Sequence, residues 1–382
     1  MKKILRSIAE YFIKPSIVFE SKPAFSDNTK AVYDEMVRQG YEKRYNLIWY
    51  ISEDQCATLQ NGNVIYWNPR DRKTIKEKIR NYSYYYKTKC IICCNTFIGA
   101  SGSHQITNGK NQRSFYLSHG TPLKRVKEYY TSPGGIDYCL SAHPDLNTLM
   151  AEEFSFSPDQ VFSGGFPRND VFAKSFKSLK TLFHGDFNKV IIWYPTYRQN
   201  GNKSINLAGD SLPLIHNESN AEQLNEAARQ NRVLIVIKPH FAQDISLIEK
   251  KELSNITFID DSFFEKNEIT SYEFLAGSDA LITDYSSVYF DYTLHDRPIA
   301  VIWEDIEEYK QFPGFAMDLS YYMKGAEKIY SIDQLCEFVK DVACENDRLQ
   351  AERREIRDKT NISTDGKNSE RVVDFIVDKA KL

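Results

Sequence analysis

The sequence predicts an α/β protein made of two doubly wound domains. The chain has 382 residues, which is more than one hydrophobic core of ordinary size requires. Strand-like and helix-like stretches alternate, and several strands are almost wholly apolar, as expected when helices cover both faces of a parallel sheet. A polar stretch without periodicity, residues 173–188, interrupts this alternation and is interpreted as the connection between the domains.

Composition narrows the class of protein. Apolar residues make up 42% and charged residues 26% of the chain, a globular balance. The net charge of -3 provides no field that would attract nucleic acid. No apolar run is long enough to span a bilayer, and the first residues do not resemble a secretion signal. The seven cysteines fit reduced thiols better than a disulfide framework.

The first domain is expected over residues 1–175. Its strands are predicted at 16–21, 45–52, 63–67, 90–95, 114–118 and 137–141, with helices between them, notably over 28–39 and 71–85. The run CIICC, from Cys90 to Cys94, is predicted to be a buried strand. A zinc site is disfavoured there because no second Cys/His pair stands at metal-ligand spacing.

The second domain is expected over residues 186–382, with its last helix free to pack back onto the first domain. Strands are predicted at 190–193, 233–237, 256–259, 280–283 and 299–303, and helices are predicted to begin near Asn220, Ser271, Ser286 and Ser331. Ligands of such sheets bind beyond the carboxyl ends of the strands. Polar residues directly after each strand are therefore the candidates for function.

The first candidate is His119, in the motif HGTP. An apolar strand ends at Leu117, and Pro122 suits the first turn of a helix with Thr121 as its N-cap. An imidazole at a strand end can take a proton from an attacking hydroxyl near neutral pH. The alternative is a histidine that only hydrogen-bonds the turn.

Two further candidates follow strands of the second domain. The turn at 195–198, of sequence PTYR, offers backbone N–H groups and an arginine to a phosphate or base. The sequence is equally consistent with an ordinary strand-to-loop connection that has no function. Lys238 and His240 follow an all-apolar strand, and such a cation pair suits a pyrophosphate. The alternative is a salt bridge between the domains from Lys238 and a structural role for His240.

A fourth candidate follows the strand that ends at Thr283. The turn DYSS leads into a helix from about Ser287, whose free N–H groups and positive end favour an anion. The hydroxyls of Ser286 and Ser287 can donate to phosphate oxygens, or they can simply cap the helix. Asp291, one turn further on, can accept hydrogen bonds from ligand hydroxyls.

Several common motifs are missing from the sequence. It contains no GxxxxGK[ST] loop, no GxGxxG after a strand, no HExxH, no GxSxG and no DxD triplet. Kinases, Rossmann dehydrogenases and serine hydrolases are therefore disfavoured.

Taken in order, the segments SHGTPLK, GGFPRNDVF, WYPTYR, KPH and TDYSSVYFDYTLHDRPI resemble the CDP-glycerol glycerophosphotransferase family, the teichoic-acid primases and polymerases. The segments IVFESKPAFSDNTKAVY and TDGKNSERVV also look like family segments, so the resemblance covers most of the chain. It implies a GT-B fold, two Rossmann-like domains facing a cleft. No cofactor is identified and the need for a divalent metal stays open. Ser118 and Phe241 depart from the family's usual residues, an aromatic and a proline, and could mark a different acceptor or alditol.

The resemblance also implies a reaction. An acceptor hydroxyl attacks the phosphorus next to glycerol in CDP-glycerol, or next to ribitol in CDP-ribitol, and CMP leaves. The acceptor would be a lipid-linked saccharide or a growing polyol-phosphate chain in teichoic acid or capsule synthesis. The implied catalytic residues are His119, as general base, and His240. The implied donor site is lined by Leu117, Ser118, Gly120, Thr121, Arg168, Pro195, Thr196, Arg198, Lys238, Pro239, Ser286, Ser287 and Asp291.

A lipid-linked acceptor implies peripheral binding at the cytoplasmic face of the cell membrane. Two stretches combine basic with apolar or aromatic residues and suit an anionic membrane surface, 1–14 and 70–89. The alternative for the second is a solvated helix whose tyrosines pack inward. Two other functions stay open: a GT-B glycosyltransferase that uses a nucleotide sugar, and a non-catalytic envelope-assembly protein with the same fold.

Overall fold

The chain folds into two compact α/β units. The computed structural model describes residues 14–51, 65–67, 74–94, 112–127, 136–176, 178–196, 212–239 and 253–382. Within these ranges, the first unit comprises residues up to 121, 127–170 and 365–382, and the second comprises 122–126 and 171–364. None of the helices in these ranges combines the length and the apolar character needed to cross a bilayer.

The first unit is built on a seven-stranded parallel sheet. Its strands are β1 (Ser16–Glu20), β2 (Asn46–Tyr50), β3 (Ile65–Trp67), β4 (Thr88–Cys93), β5 (Arg113–Tyr116), β6 (Tyr138–Ser141) and β7 (Val161–Ser163). They lie in the order β3-β2-β1-β4-β5-β6-β7. All five residues of β1 are buried, and so are Cys90, Cys93 and Cys94, which confirms the predicted buried strand.

The second unit is built on a six-stranded parallel sheet. Its strands are β8 (Lys189–Trp193), β9 (Val233–Ile237), β10 (Ile256–Phe258), β11 (Ala280–Thr283), β12 (Ile299–Ile302) and β13 (Glu327–Ile329). They lie in the order β10-β9-β8-β11-β12-β13. In each sheet the chain starts near the middle, builds outward on one side and then returns to the other side. The direction reverses between β1 and β4 and between β8 and β11, the places where ligands of doubly wound sheets bind.

Helices connect the strands in both units. They are α1 (Asp27–Arg38), α2 (Ile75–Lys87), α3 (Asn147–Phe154), α4 (Glu218–Gln230), α5 (Asp261–Lys266), α6 (Ser271–Ala276), α7 (Val288–Tyr292), α8 (Ile306–Gln311), α9 (Leu319–Tyr322), α10 (Ile332–Ala343), α11 (Gln350–Thr360) and α12 (Asn368–Ala380). Local sequence explains several starts: Thr74 and Glu77 form a capping box at α2, and Asn217 caps α4. The last helix, α12, belongs to the first unit, where Phe375 stacks on Phe162.

The helix predicted after the HGTP motif does not form. Residues 121–127 are not helical, and Lys124 makes an antiparallel bridge to Phe315 instead. Leu123 is 2% exposed and belongs to the core of the second unit. The prediction that Pro122 begins a helix capped by Thr121 was wrong, because the segment buries Leu123 and pairs its backbone with a distant strand-like segment rather than with its own next turn.

The polar stretch at 173–188 is part of the second unit. The chain enters this unit at Val171, and Leu179 and Phe187 lie in its core. Phe183 stacks on Phe263 with ring centroids 5.4 Å apart. A few apolar side chains spaced along a polar stretch are therefore enough to fix it to the domain.

Candidate active site

The turn that carries His119 follows β5 and has an unusual backbone. Ser118 has φ +56° and Gly120 has φ +133°, so both neighbours of His119 in the chain have a positive φ. Glycine adopts such angles freely, but serine does so at a cost and needs support from its surroundings. The Ser118 hydroxyl supplies part of it by donating to the carbonyl of Gly120 at 3.1 Å. The backbone at His119 is thus tightly defined.

His119 is held by two charged residues from elsewhere in the first unit. Its Nδ1 lies 2.9 Å from Oδ2 of Asp27, the first residue of α1. The other oxygen, Oδ1, accepts a bond from Arg168 Nη1 at 2.5 Å, and Arg168 Nη2 donates to the His119 carbonyl at 2.7 Å. Asp27, His119 and Arg168 therefore form a closed set of hydrogen bonds.

Asp27 is ionised in this arrangement. Burial alone would raise its pKa, but the Arg168 guanidinium and the hydrogen bond from His119 together outweigh burial. They hold the pKa of Asp27 well below its usual range. The second ring nitrogen of His119, Nε2, is buried and has no hydrogen-bond partner among the described residues. A hydroxyl that reached this atom would satisfy it.

Asn28 ties the start of α1 to the same turn. Its side chain is fully buried and donates to the carbonyls of Leu117 at 3.2 Å and Ser118 at 3.0 Å. Its Oδ1 accepts from the backbone N–H of Arg168 at 3.2 Å. One amide thus connects three separate segments around His119, and Leu117 and Ser118 are themselves fully buried.

Cys94 completes the surroundings of the His119 ring. Its thiol donates to the Ser118 carbonyl at 2.9 Å and lies 3.8 Å from Nδ1. The possible ligand atoms of Asp27, Cys94 and His119 lie within 4.8 Å of one another, a spacing that a metal ion could use. However, Arg168 already shares the carboxylate, and burial raises the pKa of the thiol well above its usual value. This donor set favours a hydrogen-bonded cluster over a metal centre.

In the second unit, Asp284 joins the turns that follow β8 and β11. The side chain is 1% exposed and accepts bonds from the backbone N–H of Thr196 at 3.0 Å, from the Thr196 hydroxyl, and from the Tyr285 N–H at 2.6 Å. Pro195 beside it is buried. Asp284 therefore fixes the backbone of both turns at the place where the strand order of this sheet reverses.

Ser286 and Ser287 stand between β11 and α7. Ser287 occupies the N-cap position but makes no capping bond with its side chain. Ser286 Oγ accepts from the Val288 N–H at 3.4 Å, at the long limit for a hydrogen bond. Neither hydroxyl therefore makes a strong capping bond to α7, and both can bind a ligand. Asp291 is 1% exposed and accepts from the Tyr272 hydroxyl at 2.6 Å, so its bonds to a ligand stay a prediction.

Lys238 follows β9 and has a partner in its own unit. Its Nζ lies 3.0 Å from Oδ1 of Asp261, whose side chain is 75% exposed. A pair with so exposed a carboxylate is weak, and an anionic ligand could compete for the lysine. Pro239 is half-buried. The predicted site residues Arg198 and His240 lie outside the described residues.

The predicted residues divide between the units. The first unit contains Leu117, Ser118, His119, Gly120, Thr121 and Arg168, and the second contains Pro195, Thr196, Lys238, Pro239, Ser286, Ser287 and Asp291. Asp27, Asn28, Cys94 and Asp284 were not predicted to be functional residues. Each of them follows or ends a strand next to a reversal of strand order, and that position is the signal that could have identified them.

Comparisons with known proteins agree on one family. The profile of the family described as CDP-Glycerol:Poly(glycerophosphate) glycerophosphotransferase matches residues 5–378. A teichoic acid poly(glycerol phosphate) polymerase of Bacillus spizizenii is 26% identical over 345 residues, which covers 79% of this chain and 77% of the relative. A teichoic acid glycerol-phosphate transferase of Staphylococcus aureus is 25% identical over 351 residues, covering 82% and 80%.

Solved structures show the same fold. The wall teichoic acid polymerase TagF matches with a TM-score of 0.72 and 24% identity, covering 100% of this chain and 94% of that one. A UDP-GlcNAc 2-epimerase from Neisseria meningitidis matches with a TM-score of 0.52 and 14% identity, covering 96% and 100%. At these levels of identity the two matches establish only the fold, which consists of two Rossmann-like domains of GT-B type. Because the family profile spans nearly the whole chain, the protein belongs to the CDP-glycerol:poly(glycerophosphate) glycerophosphotransferase family and is a polyol-phosphate transferase.

Proposed function

We propose that the protein transfers glycerol phosphate or ribitol phosphate from a CDP-alditol to a hydroxyl of a lipid-linked saccharide or growing polyol-phosphate chain, releasing CMP. Relatives named for both glycerol-phosphate and ribitol-phosphate transfer in teichoic acid synthesis support this class of donor. The proposal rests mainly on Nε2 of His119, which has no hydrogen-bond partner within the described part of the chain and belongs to a ring fixed by Asp27. This arrangement suits a general base.

The proposed step moves one proton and one phosphoryl group. The acceptor hydroxyl attacks the phosphorus that bears the alditol, and its proton passes to Nε2 of His119. The bond from that phosphorus to the bridging oxygen breaks, and the electron pair leaves with CMP. Because Nε2 is buried in the present arrangement, the groups that cover it have to give way before the hydroxyl can reach it.

Donor binding is assigned to the second unit. The hydroxyls of Ser286 and Ser287 can donate to pyrophosphate oxygens, since neither is committed to a strong capping bond. Lys238 supplies a positive charge close to the end of β9. Charge develops on the departing phosphate of CMP, and groups already oriented toward it stabilise that charge without further rearrangement.

We also assign membrane contact to α2. Ile75 and Ile79 are 77% and 47% exposed, and their spacing of four residues puts them on one face of the helix. Lys76 and Lys78 are exposed beside them. Tyr84 packs inward against a small apolar cluster of the sheet, so isoleucines rather than this tyrosine face outward. Apolar side chains flanked by lysines suit the surface of an anionic bilayer.

The class of donor can be tested by following which group reaches the acceptor. The protein is incubated with a lipid-linked saccharide and, in separate reactions, CDP-glycerol, CDP-ribitol and UDP-sugars, and the products are weighed by mass spectrometry. We expect added mass of glycerol phosphate or ribitol phosphate together with release of CMP. Transfer of a sugar from a UDP-sugar, or no CMP release with either CDP-alditol, would overturn the proposal.

A further inference from the structure

We propose that Asp27 is a positioning residue that keeps the ring proton of His119 on Nδ1 and thereby leaves Nε2 as the atom that accepts a proton. The catalytic consequence rests on the proposed function, but the placement of the proton does not. Asp27 lies 92 residues before His119, within the segment IVFESKPAFSDNTKAVY, and neither the sequence nor the family resemblance assigned it a role.

The geometry around the ring determines which nitrogen carries the proton. An ionised carboxylate can only accept hydrogen bonds, so the contact of 2.9 Å between Asp27 Oδ2 and Nδ1 requires Nδ1 to donate. Cys94 does not compete for this position because its S–H is directed to the Ser118 carbonyl. Arg168, the cation of the cluster, points to Asp27 and to the His119 carbonyl. In a neutral ring, Nε2 then carries the lone pair.

Arg168 has a supporting part in this arrangement. One of its N–H groups fixes Asp27 Oδ1 and another fixes the backbone of His119, so the carboxylate and the imidazole are held by the same planar group. With a side chain only 7% exposed, Arg168 is better suited to orient the pair than to follow a moving phosphate.

Asp27→Asn is the most informative substitution at this position. Asp27 has φ +60°, which asparagine tolerates and alanine does not, and its Oδ1 accepts from the N–H of Asn28 at 2.7 Å. In the variant, the amide oxygen should stay at Oδ1, where Arg168 and Asn28 both donate. The NH₂ group then faces Nδ1 and donates to it, which transfers the ring proton to Nε2.

Proton placement can be measured without any enzymatic activity. Histidine labelled with ¹⁵N distinguishes the two neutral tautomers by NMR, and the His119→Gln variant identifies the His119 signals. We expect the Nδ1–H form in the wild-type protein and the Nε2–H form in Asp27→Asn. The control is Asp34→Asn, which makes the same chemical change on α1 where Asp34 pairs with Lys30, and it should leave the His119 signals unchanged.

The NMR result can contradict the inference on its own. A wild-type protein with the proton on Nε2 would overturn it, whether or not Asp27→Asn folds. An Asp27→Asn variant that folds but keeps the Nδ1–H form would overturn it as well.

Kinetics test the consequence for catalysis. We expect Asp27→Asn to lower kcat by about 100-fold to 10,000-fold, the usual worth of a general base, with little change in affinity for CDP-glycerol. In the His119→Gln background the same substitution should cause no further loss, because Asp27 acts through His119. Equal losses in both backgrounds would show a structural role instead. If the wild-type protein transfers nothing from any CDP-alditol, the proposed function fails, while NMR still decides the tautomer.

Discussion

His119 shows how far single residues can be interpreted from sequence. Its position after an apolar strand predicts a functional histidine, because strand ends are where doubly wound sheets bind ligands. Its partners could not be predicted in the same way. Asp27 lies 92 residues before it, after β1, and Arg168 lies 49 residues after it, after β7, so only the folded sheet brings the two to the end of β5. In sequence, Asp27 has the pattern of a residue that starts a helix.

Ser286 and Ser287 allow ligand binding and helix capping to be separated by experiment. Replacing either with alanine should weaken CDP-glycerol binding by roughly 0.5–1.5 kcal/mol, the net worth of one hydrogen bond. The melting temperature of Ser287→Ala should stay near that of the wild type, because Ser287 makes no capping bond. Calorimetry measures both quantities.

Ser331 provides the matched control for these serines. It caps α10 by accepting from the Gln334 N–H, so Ser331→Ala should cost about 1 kcal/mol of stability and leave donor affinity unchanged. Unaltered affinity for CDP-glycerol in both Ser286→Ala and Ser287→Ala would reject their assignment to the pyrophosphate.

At the scale of elements, apolar runs were the most informative feature. The strands at 233–237 and 280–283 are found where they were predicted. The short strands β7 (VFS) and β13 (EKI) were not predicted, because neither lies in an apolar run like those that predicted the equally short β3 and β10. The helix after HGTP was predicted from Pro122, a valid local signal, but burial of Leu123 in the other unit outweighed it.

Helix α2 carries a prediction about the membrane. Ile75→Ser combined with Ile79→Ser should reduce flotation with anionic liposomes, because both exposed side chains would lose an apolar contact with lipid. Binding of the wild-type protein should weaken with salt, since each basic residue near such a surface contributes about 1 kcal/mol.

The control for this helix is Val37→Ser on α1. It also removes an exposed apolar side chain, since Val37 is 39% exposed, but it leaves α2 unchanged. It should not alter flotation. Binding to neutral and anionic vesicles that is equal and insensitive to salt would contradict the electrostatic part of the account.

At the scale of the whole molecule, the sequence was sufficient to predict two doubly wound domains. It was not sufficient to predict every place where the chain passes from one unit to the other. Alternating apolar strands and helices predict two doubly wound sheets, and both sheets have the strand order in which the first and fourth strands are neighbours. The assignment of residues 122–126 to the second unit and of α12 to the first depends on which core accepts a few side chains, such as Leu123 and Phe375. Local patterns contain no such information.

The most direct test of the account is the single-turnover rate of His119→Asn at saturating donor and acceptor. Asparagine keeps a hydrogen-bonding side chain but cannot take the proton from the acceptor hydroxyl. We predict a rate about 100-fold to 10,000-fold below that of the wild-type protein, with affinity for CDP-glycerol little changed, because the proton comes from the acceptor and not from the donor. A near-normal rate for His119→Asn would contradict the assignment of His119 as the general base.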